Sequence, residues 1–194
     1  EADLRALGAR AHKKGIRVLV DMVGNHVHTD SPLWAQHKHD GWFYTPDSPY
    51  VCGWDKPIEC WFTPYLPDFN YSNADALQTV IDHAIWLIQA YDVDGFRLDA
   101  VKHMVMDFTT VLRKRVKDEI STTGVPFYMV GETFDGDKNK LAEYVGPDKL
   151  DGQFDFPLYF QVRDVILSQS AGLDQFKTFV EGNDTYYQNR WNGA

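Results

Sequence analysis

The sequence predicts an α/β protein with a mainly parallel sheet, and two observations carry this prediction. Short apolar runs that read as strands alternate along the chain with stretches whose apolar residues recur at helical spacing. The strand-like runs are nearly continuous in apolar residues, as in strands buried between helices. Strands joined through helices form right-handed crossovers. From this pattern alone, both a closed barrel and a doubly wound open sheet fit.

The first elements are a helix and a strand. Leu4, Leu7 and Ala11 lie on one helical face, and Gly15 follows as a helix stop. The run IRVLVD, residues 16–21, is short, apolar and rich in β-branched residues. It therefore predicts a strand that is buried on both faces.

Residues 27–71 interrupt this regularity. They are rich in Trp, Tyr, Pro, Gly and Asp and show no sustained period. A structureless loop of this length is uncommon in a compact domain unless it has a function. We therefore predict a small domain inserted between a strand and the next helix.

Regular elements resume at Ser72. Ser72 and Asp75 occupy the paired positions of a capping box, which predicts the start of a helix. The remaining elements alternate in type: a helical face from Leu77 to Ile88, a strand in residues 94–101, a helix in 104–120, a strand in 126–132, a fourth strand within 151–160 and a helix around Val162 to Leu167.

Composition excludes several classes of function. The net charge of −9 and the pI near 5.1 argue against a nucleic-acid partner, which favours a basic face. No apolar run reaches the ~20 residues of a membrane span, and no Gly-rich phosphate loop follows a strand. Cys52 and Cys60 lie in one loop-like segment at a spacing that matches no zinc motif. A disulfide, a metal pair and two plain thiols all remain open at this point.

Three of the predicted strands end in polar clusters. In parallel α/β folds, ligands bind at the carboxyl ends of the strands, so these clusters predict one site. The clusters are Asp21, Asn25 and His26; Arg97, Asp99, Lys102 and His103; and Glu132, Asp135 and Asp137.

Two carboxyl groups in these clusters suit catalysis. Side chains alternate across a strand, so Arg97 and Asp99 share one face. The arginine is expected to keep Asp99 ionised with a lowered pKa, as a nucleophile requires, although a structural ion pair fits the same pattern. Glu132 ends an apolar strand, and we expect desolvation to raise its pKa and suit it to general-acid work. A polar residue in a loop hydrogen-bond network is the alternative for Glu132.

The clusters carry a family resemblance. DMVGNH, DGFRLDAVKH and GETFDGD resemble three motifs of the alpha-amylase family of glycoside hydrolases, and LPDFN, residues 66–70, resembles a fourth motif near the end of that family's inserted domain. The resemblance implies a (β/α)8 TIM-type barrel with an excursion after its third strand. The chain is then expected to hold about strands 3 to 6 of the barrel. Residues 1–26 and 72–194 are barrel parts, residues 27–71 are the inserted domain, and the barrel is incomplete at both ends.

The resemblance also implies roles for matching residues. Asp99 is the expected nucleophile, Glu132 the expected acid/base, and Arg97 the residue that orients Asp99. His26 is expected to bind the sugar at the cleavage site, with Lys102 and His103 on the leaving-group side.

A calcium site is implied as well. Asn25, Asp68 and the backbone carbonyl of His103 match calcium-binding positions, and Glu59 is a further candidate ligand. Some members have a disulfide in the inserted domain, so the resemblance favours a Cys52–Cys60 bridge and an extracellular, secreted location.

The implied chemistry is retaining endo-hydrolysis of α-1,4-glucosidic bonds in starch-like glucans. A transglycosylase, a cyclomaltodextrinase and a non-catalytic carbohydrate-binding relative are the alternatives. No nucleic acid or membrane partner is expected, and the oligomeric state is left open. The family's remaining motif, a strand ending in Asn-His-Asp that supplies a third carboxylate, is absent from these 194 residues. We therefore expect the chain by itself to be inactive and, as an open half-barrel, poorly stable.

Overall fold

The computed structural model describes residues 2–44, 52, 56–121, 124 and 126–191, with the backbone alone for 183–191. Four parallel strands form one sheet: β1 (Leu19–Met22), β2 (Gly95–Leu98), β3 (Tyr128–Gly131) and β4 (Gly152–Gln153). Their order in the sheet follows their order in the chain. A doubly wound sheet reverses its strand order, whereas a barrel does not, so this order favours the barrel.

Helices connect the strands. They are α1 (Ala2–His12), α2 (Pro32–His37), α3 (Ala74–Tyr91), α4 (Met106–Glu119), α5 (Lys138–Glu143), α6 (Phe156–Val162), which continues as a π-helical turn over Arg163–Leu167, and α7 (Leu173–Trp191). A short 3₁₀ turn, Val101–His103, follows β2. No helix among the described residues is long and apolar enough to cross a membrane.

The core lies between the sheet and its helices. Phe96 and Leu98 of β2 and Met129 of β3 point to the helix side and are fully buried. They belong to one cluster with Ile81 of α3 and Leu112 of α4. The face of β2 that carries Arg97 lies opposite this core. The alternation in the sequence thus separates a packing face from a polar face.

Three predictions about the elements are wrong in detail. The cap of α3 is Asn73, whose side chain accepts hydrogen bonds from two backbone N–H groups, and Ser72 lies outside the helix. The last predicted helix begins earlier, at Phe156, because Asp155 caps its first turn. β1 is not buried on both faces, since Leu19 is 40% exposed and Asp21 is also exposed. β1 is an edge strand of this sheet and pairs only with β2 among the described strands.

The inserted segment is anchored to the sheet by backbone contacts. His26 and Asp68 form an isolated antiparallel bridge, as do Phe43 and Phe69. The segment contains α2, where the prediction had no regular element, and the hydroxyl of Ser31 caps it. Residues 45–51 and 53–55 of the insert lie outside the described residues.

Candidate active site

Arg97 connects three carboxylates at the carboxyl edge of the sheet. Its Nη1 lies 2.6 Å from Oδ1 of Asp99 and 2.8 Å from Oδ1 of Asp21, and its Nη2 lies 2.7 Å from Oε2 of Glu132. Burial alone lowers the pKa of Arg97, but the hydrogen bonds that it donates to Asp21 and Asp99 and the nearby charge of Glu132 outweigh burial and raise the pKa. The guanidinium is therefore a permanent cation that links the ends of β1, β2 and β3. The ring of Phe154 lies 5.8 Å from it.

The backbone around Asp99 fixes where its carboxylate points. The N–H of Asp99 donates to the carbonyl of Met22, which continues the parallel ladder for one residue beyond β2. Ala100 then adopts left-handed angles, with φ 49° and ψ 40°. This conformation costs a non-glycine residue about 1 to 3 kcal/mol and is concentrated at functional sites. The turn stops β2 so that Asp99 stands at the strand tip.

Glu132 stands at the equivalent tip of β3. Its N–H donates to the carbonyl of Leu98, and its own carbonyl accepts from the N–H of Val101. Both backbone groups of Glu132 are therefore hydrogen-bonded, which fixes the position of the residue. The side chain is 28% exposed and paired with Arg97. Partial burial of this carboxyl group was expected at the end of an apolar strand, whereas its direct contact with a cation was not.

A cleft of about 280 Å³ opens above Asp99 and Glu132. His26 and Phe62 line it from the side of the insert, and their rings meet edge to face with centroids 5.4 Å apart. Burial lowers the pKa of His26, against the opposing effect of the Asp99 charge. His26 is thus held as a neutral hydrogen-bonding group beside the nucleophile candidate.

Lys102 and His103 follow on the 3₁₀ turn; His103 lines this cleft, and Lys102 lines a neighbouring one. The Nζ of Lys102 donates to the carbonyl of Phe134, whose ring also lines the cleft. Nδ1 of His103 lies 2.8 Å from the carbonyl of Pro57 and must carry the proton, because a carbonyl only accepts. The insert therefore fixes the orientation of a buried histidine at the cleft.

Asn25 and Asp68 lie close together where the inserted segment joins the loop after β1. The N–H of Phe69 donates to the carbonyl of Asn25, and both Asn25 and Asp68 are almost fully buried. Neither carboxylate oxygen of Asp68 has a hydrogen-bond partner among the described residues. Burial raises the pKa of Asp68 to about 9. A buried carboxylate without partners is a place where a cation fits, and carboxylate and amide oxygens are the ligands that calcium prefers.

The other predicted calcium ligand and the cysteines lie in the same insert. Glu59 is exposed, and its part in a cation site stays a prediction. Cys52 and Cys60 are bridged in the structure, with Cα atoms 4.8 Å apart. The bridge closes the loop that carries Pro57.

Several site residues had no role in the sequence prediction. Asp21 was noted only as a strand-end acid, whereas the sheet register places it directly opposite Arg97. Phe62 and Pro57 come from the aperiodic insert, where no pattern marked them. Phe154 follows β4 by one residue and could have been found only from its position at the end of a fourth parallel strand.

Comparison with known proteins identifies the family of the chain. The family described as alpha amylase, catalytic domain, matches residues 1–192. Alpha-amylase 2 of Dictyoglomus thermophilum is 26% identical over 97% of the chain and 32% of its own length. The intracellular maltogenic amylase of Bacillus subtilis is 28% identical over 66% of the chain and 22% of its own length. The chain thus spans about a third or less of these two relatives.

Solved structures show the same fold. The alpha-amylase from Geobacillus thermoleovorans, complexed with acarbose, matches with a TM-score of 0.71 and 32% identity over 84% of the chain and 36% of its own. An Anoxybacillus alpha-amylase matches with a TM-score of 0.72 and 30% identity over 84% of the chain and 35% of its own. The prediction of an α/β chain forming part of a TIM-type barrel is confirmed. With the family match over nearly its whole length, the chain belongs to the alpha-amylase family of glycoside hydrolases.

Proposed function

We propose that the protein hydrolyses α-1,4-glucosidic bonds in starch-like glucans with retention of configuration. The observation that carries this proposal is the pair formed by Asp99 and Glu132, whose carboxylates contact the two terminal nitrogens of one guanidinium at the floor of a cleft. Retaining enzymes hold their two carboxyl groups ~5–5.5 Å apart, and the guanidinium that Asp99 and Glu132 share keeps them near each other.

The reaction has two steps. Glu132, carrying a proton, gives it to the glycosidic oxygen while an oxygen of Asp99 attacks the anomeric carbon, so the bond to the leaving sugar breaks as the glucosyl–Asp99 bond forms. Glu132 then takes a proton from water, and the water oxygen replaces Asp99 at the anomeric carbon. The first step requires Glu132 to exchange its contact with Arg97 for the glycosidic oxygen.

The surrounding residues serve these steps. Arg97 holds Asp99 through a 2.6 Å contact and stabilises it as an anion, ready to attack. His26, neutral beside Asp99, donates to a sugar hydroxyl in the cleft. Lys102 and His103 contact the leaving side of the glucan, and the ring of Phe134 covers that end of the cleft.

We propose that calcium binds between barrel and insert through Asn25 and Asp68, with the carbonyl of His103 and Glu59 as further ligands. The support is the buried, unpartnered carboxylate of Asp68 beside the buried Asn25. The ion is structural in this proposal: it neutralises Asp68 and ties the insert to the sheet. We also propose an extracellular location, supported by the Cys52–Cys60 bridge, since disulfides persist in oxidising compartments.

The test is hydrolysis of soluble starch by the full-length gene product and by Asp99→Asn and Glu132→Gln variants. Both are expected to lower kcat by at least about a thousandfold, because each removes a group that acts on the reacting bond. Asp107→Asn, an exposed acid on the first turn of α4, is the matched control and is expected to leave kcat unchanged.

Analysis of the products separates the alternatives. Newly formed reducing ends with the α-configuration support retaining hydrolysis, and longer or cyclic glucans identify a transglycosylase. A protein that binds starch but cleaves none, with Asp99→Asn binding as tightly as the parent, is a carbohydrate-binding relative and contradicts the proposal.

A further inference from the structure

A buried pocket between the insert and the barrel holds three side chains that can bind a metal. Cys52 and Cys60 come from the insert and His103 from the 3₁₀ turn after β2, and each is at most 7% exposed. One ring nitrogen of His103 and the two sulfur atoms all lie within 4.8 Å of one another. Thiolate sulfur and imidazole nitrogen are ligands that zinc prefers, so this group can hold such an ion once the two sulfurs are no longer bonded to each other.

The surroundings of the two sulfurs suit their reduced form. Sγ of Cys52 lies 3.3 Å from the carbonyl oxygen of Trp61, and Sγ of Cys60 lies 3.6 Å from that of Pro57. Each thiol formed by reduction therefore has an acceptor for its S–H group within reach, and neither becomes a buried donor without a partner. The Cα atoms of the two cysteines are 4.8 Å apart, so both side chains can reach one ion.

The same pocket offers an oxygen as a fourth ligand. The carbonyl oxygen of Pro57 lies 2.8 Å from Nδ1 of His103 and 3.6 Å from Sγ of Cys60, so it contacts ligands from both the barrel and the insert. It can complete the four-coordinate set that zinc takes in proteins. The ring of Phe62 packs edge to face on the ring of His103, with centroids 4.7 Å apart, and shields this side of the pocket. Four protein ligands in a buried pocket are typical of structural zinc rather than catalytic zinc.

We propose that reduction of the Cys52–Cys60 bridge creates a zinc site from the two cysteines and His103, with the carbonyl of Pro57 as the fourth ligand. A dithiol supplies two electrons and two protons: the S–S bond breaks, two thiols form, and the dithiol closes to its own disulfide. The thiols then lose their protons to water as Zn²⁺ binds the sulfurs. The ion replaces a link within the insert by a link between the insert and the barrel. It differs from the proposed calcium site, whose ligands are all oxygens, and does not depend on the proposed hydrolysis.

The experiment titrates metal into the full-length gene product. The protein is reduced with dithiothreitol, freed of it without oxygen, and titrated with Co²⁺ and then Zn²⁺ in excess calcium, which keeps oxygen-ligand sites filled. The reduced protein is expected to bind one Co²⁺ more than the bridged protein, with the sulfur-to-cobalt charge-transfer absorbance of thiolate ligands. Zn²⁺ should displace this Co²⁺, because thiolate sites select zinc. Zn²⁺ should also raise the unfolding temperature of the reduced protein, since it binds the folded form.

Three variants identify the ligands. Cys60→Ser removes one thiolate and is expected to abolish the additional Co²⁺ binding. His103→Gln keeps both thiols and should weaken Zn²⁺ binding by at least about a hundredfold, because even residues that only support a ligand contribute about 10- to 100-fold. His83→Gln, which replaces an exposed histidine stacked on Trp86, is the matched control and should leave the Zn²⁺ affinity unchanged.

A reduced protein that binds no more Co²⁺ than the bridged protein overturns the site, as does additional binding that persists in Cys60→Ser. Equal Zn²⁺ affinities of the parent and His103→Gln also overturn it, because two thiols on an unfolded loop bind a metal without the histidine. The unfolding temperature gives a test that needs no variant to fold. If Zn²⁺ leaves the unfolding temperature of the reduced parent unchanged, the link between insert and barrel does not form and the proposal is wrong.

Discussion

Replacing Arg97 with lysine tests whether one guanidinium organises the site. Lysine keeps the positive charge, but its single nitrogen cannot hold Asp99 at 2.6 Å and Glu132 at 2.7 Å as Nη1 and Nη2 do. Asp21, which anchors the same guanidinium through both its oxygens at 2.8 and 3.0 Å, also loses its geometry. The substitution therefore changes position and leaves the net charge unaltered.

The size of the effect follows from the bond to Asp99, because the bond to Glu132 is given up in the first step and so does not lower the barrier. A charge-assisted bond to a reacting carboxylate contributes about 1.5 to 3 kcal/mol, and the partial exposure of Asp99 argues for the lower value. Losing this bond then raises the barrier by about 1.5 kcal/mol, which lowers kcat by about tenfold. Asp21→Asn should lower kcat by less than about threefold, because Asp21 is 60% exposed and acts only through Arg97.

The assay is kcat and KM for soluble starch with the full-length gene product, alongside the unfolding temperature. Arg115→Lys, on a guanidinium that binds Asp82 and Glu119 on the far helical surface, controls for the loss of any arginine. We expect Arg97→Lys to lower kcat with little change in KM, and Arg115→Lys to change neither. Wild-type kcat in Arg97→Lys, or an equal loss in Asp21→Asn, refutes the positioning role.

Three further predictions concern stability. Calcium chloride should raise the unfolding temperature of the protein and a chelator should lower it, and Asp68→Asn should abolish this response, because the buried carboxylate is the charge that the ion neutralises. Burial alone raises the pKa of Asp94, but bonds from the Val18 N–H, Arg17 and His12 outweigh it and lower the pKa. Its stabilisation is thus fully present above the unfolded pKa of ~3.9 and lost as pH falls through the lower, folded pKa, so Asp94→Asn should lower the free energy of unfolding at pH 7 and by progressively less as the pH falls below ~3.9, measured by urea unfolding. Phe96→Ala should cost about 3 to 5 kcal/mol in the same assay, because the ring is fully buried.

The order of strands and helices could be predicted because apolar residues recur in the sequence at spacings that differ between helices and strands. The exposure of β1 at the edge of the described sheet could not be predicted, because apolar residues such as Leu19 and Val20 occur in central strands and in edge strands alike. The two kinds of strand differ in the strands beside them, which the local sequence does not encode. The cap of α3 was misplaced by one residue for a similar reason. Ser72 and Asn73 are both good caps, and the choice depends on which of them adopts an extended backbone before the first turn.

The site residues on strand ends could be predicted, but their contacts could not. Alternation along β2 puts Arg97 and Asp99 on one face from sequence alone. The contact between Arg97 and Glu132 depends on the register that sets Arg97 opposite Val130, two residues before Glu132, and no local pattern encodes a register between strands. This is why partial desolvation of Glu132 could be expected from the sequence, whereas its contact with Arg97 could not.

The insert orients side chains of the candidate site as well as supplying residues of the proposed calcium site. Pro57 holds His103, and the ring of Phe62 meets His26 at 5.4 Å and His103 at 4.7 Å, so two residues of the insert orient two histidines of the barrel loops. These contacts join residues that lie far apart in sequence, and neither has a polar side chain that a search for catalytic motifs would select. Because the Cys52–Cys60 bridge closes the loop carrying Pro57, the geometry of His103 depends on a covalent bond outside the cleft. Substitutions in the insert should therefore alter sugar binding through these histidines while the contacts among Arg97, Asp99 and Glu132 stay in place.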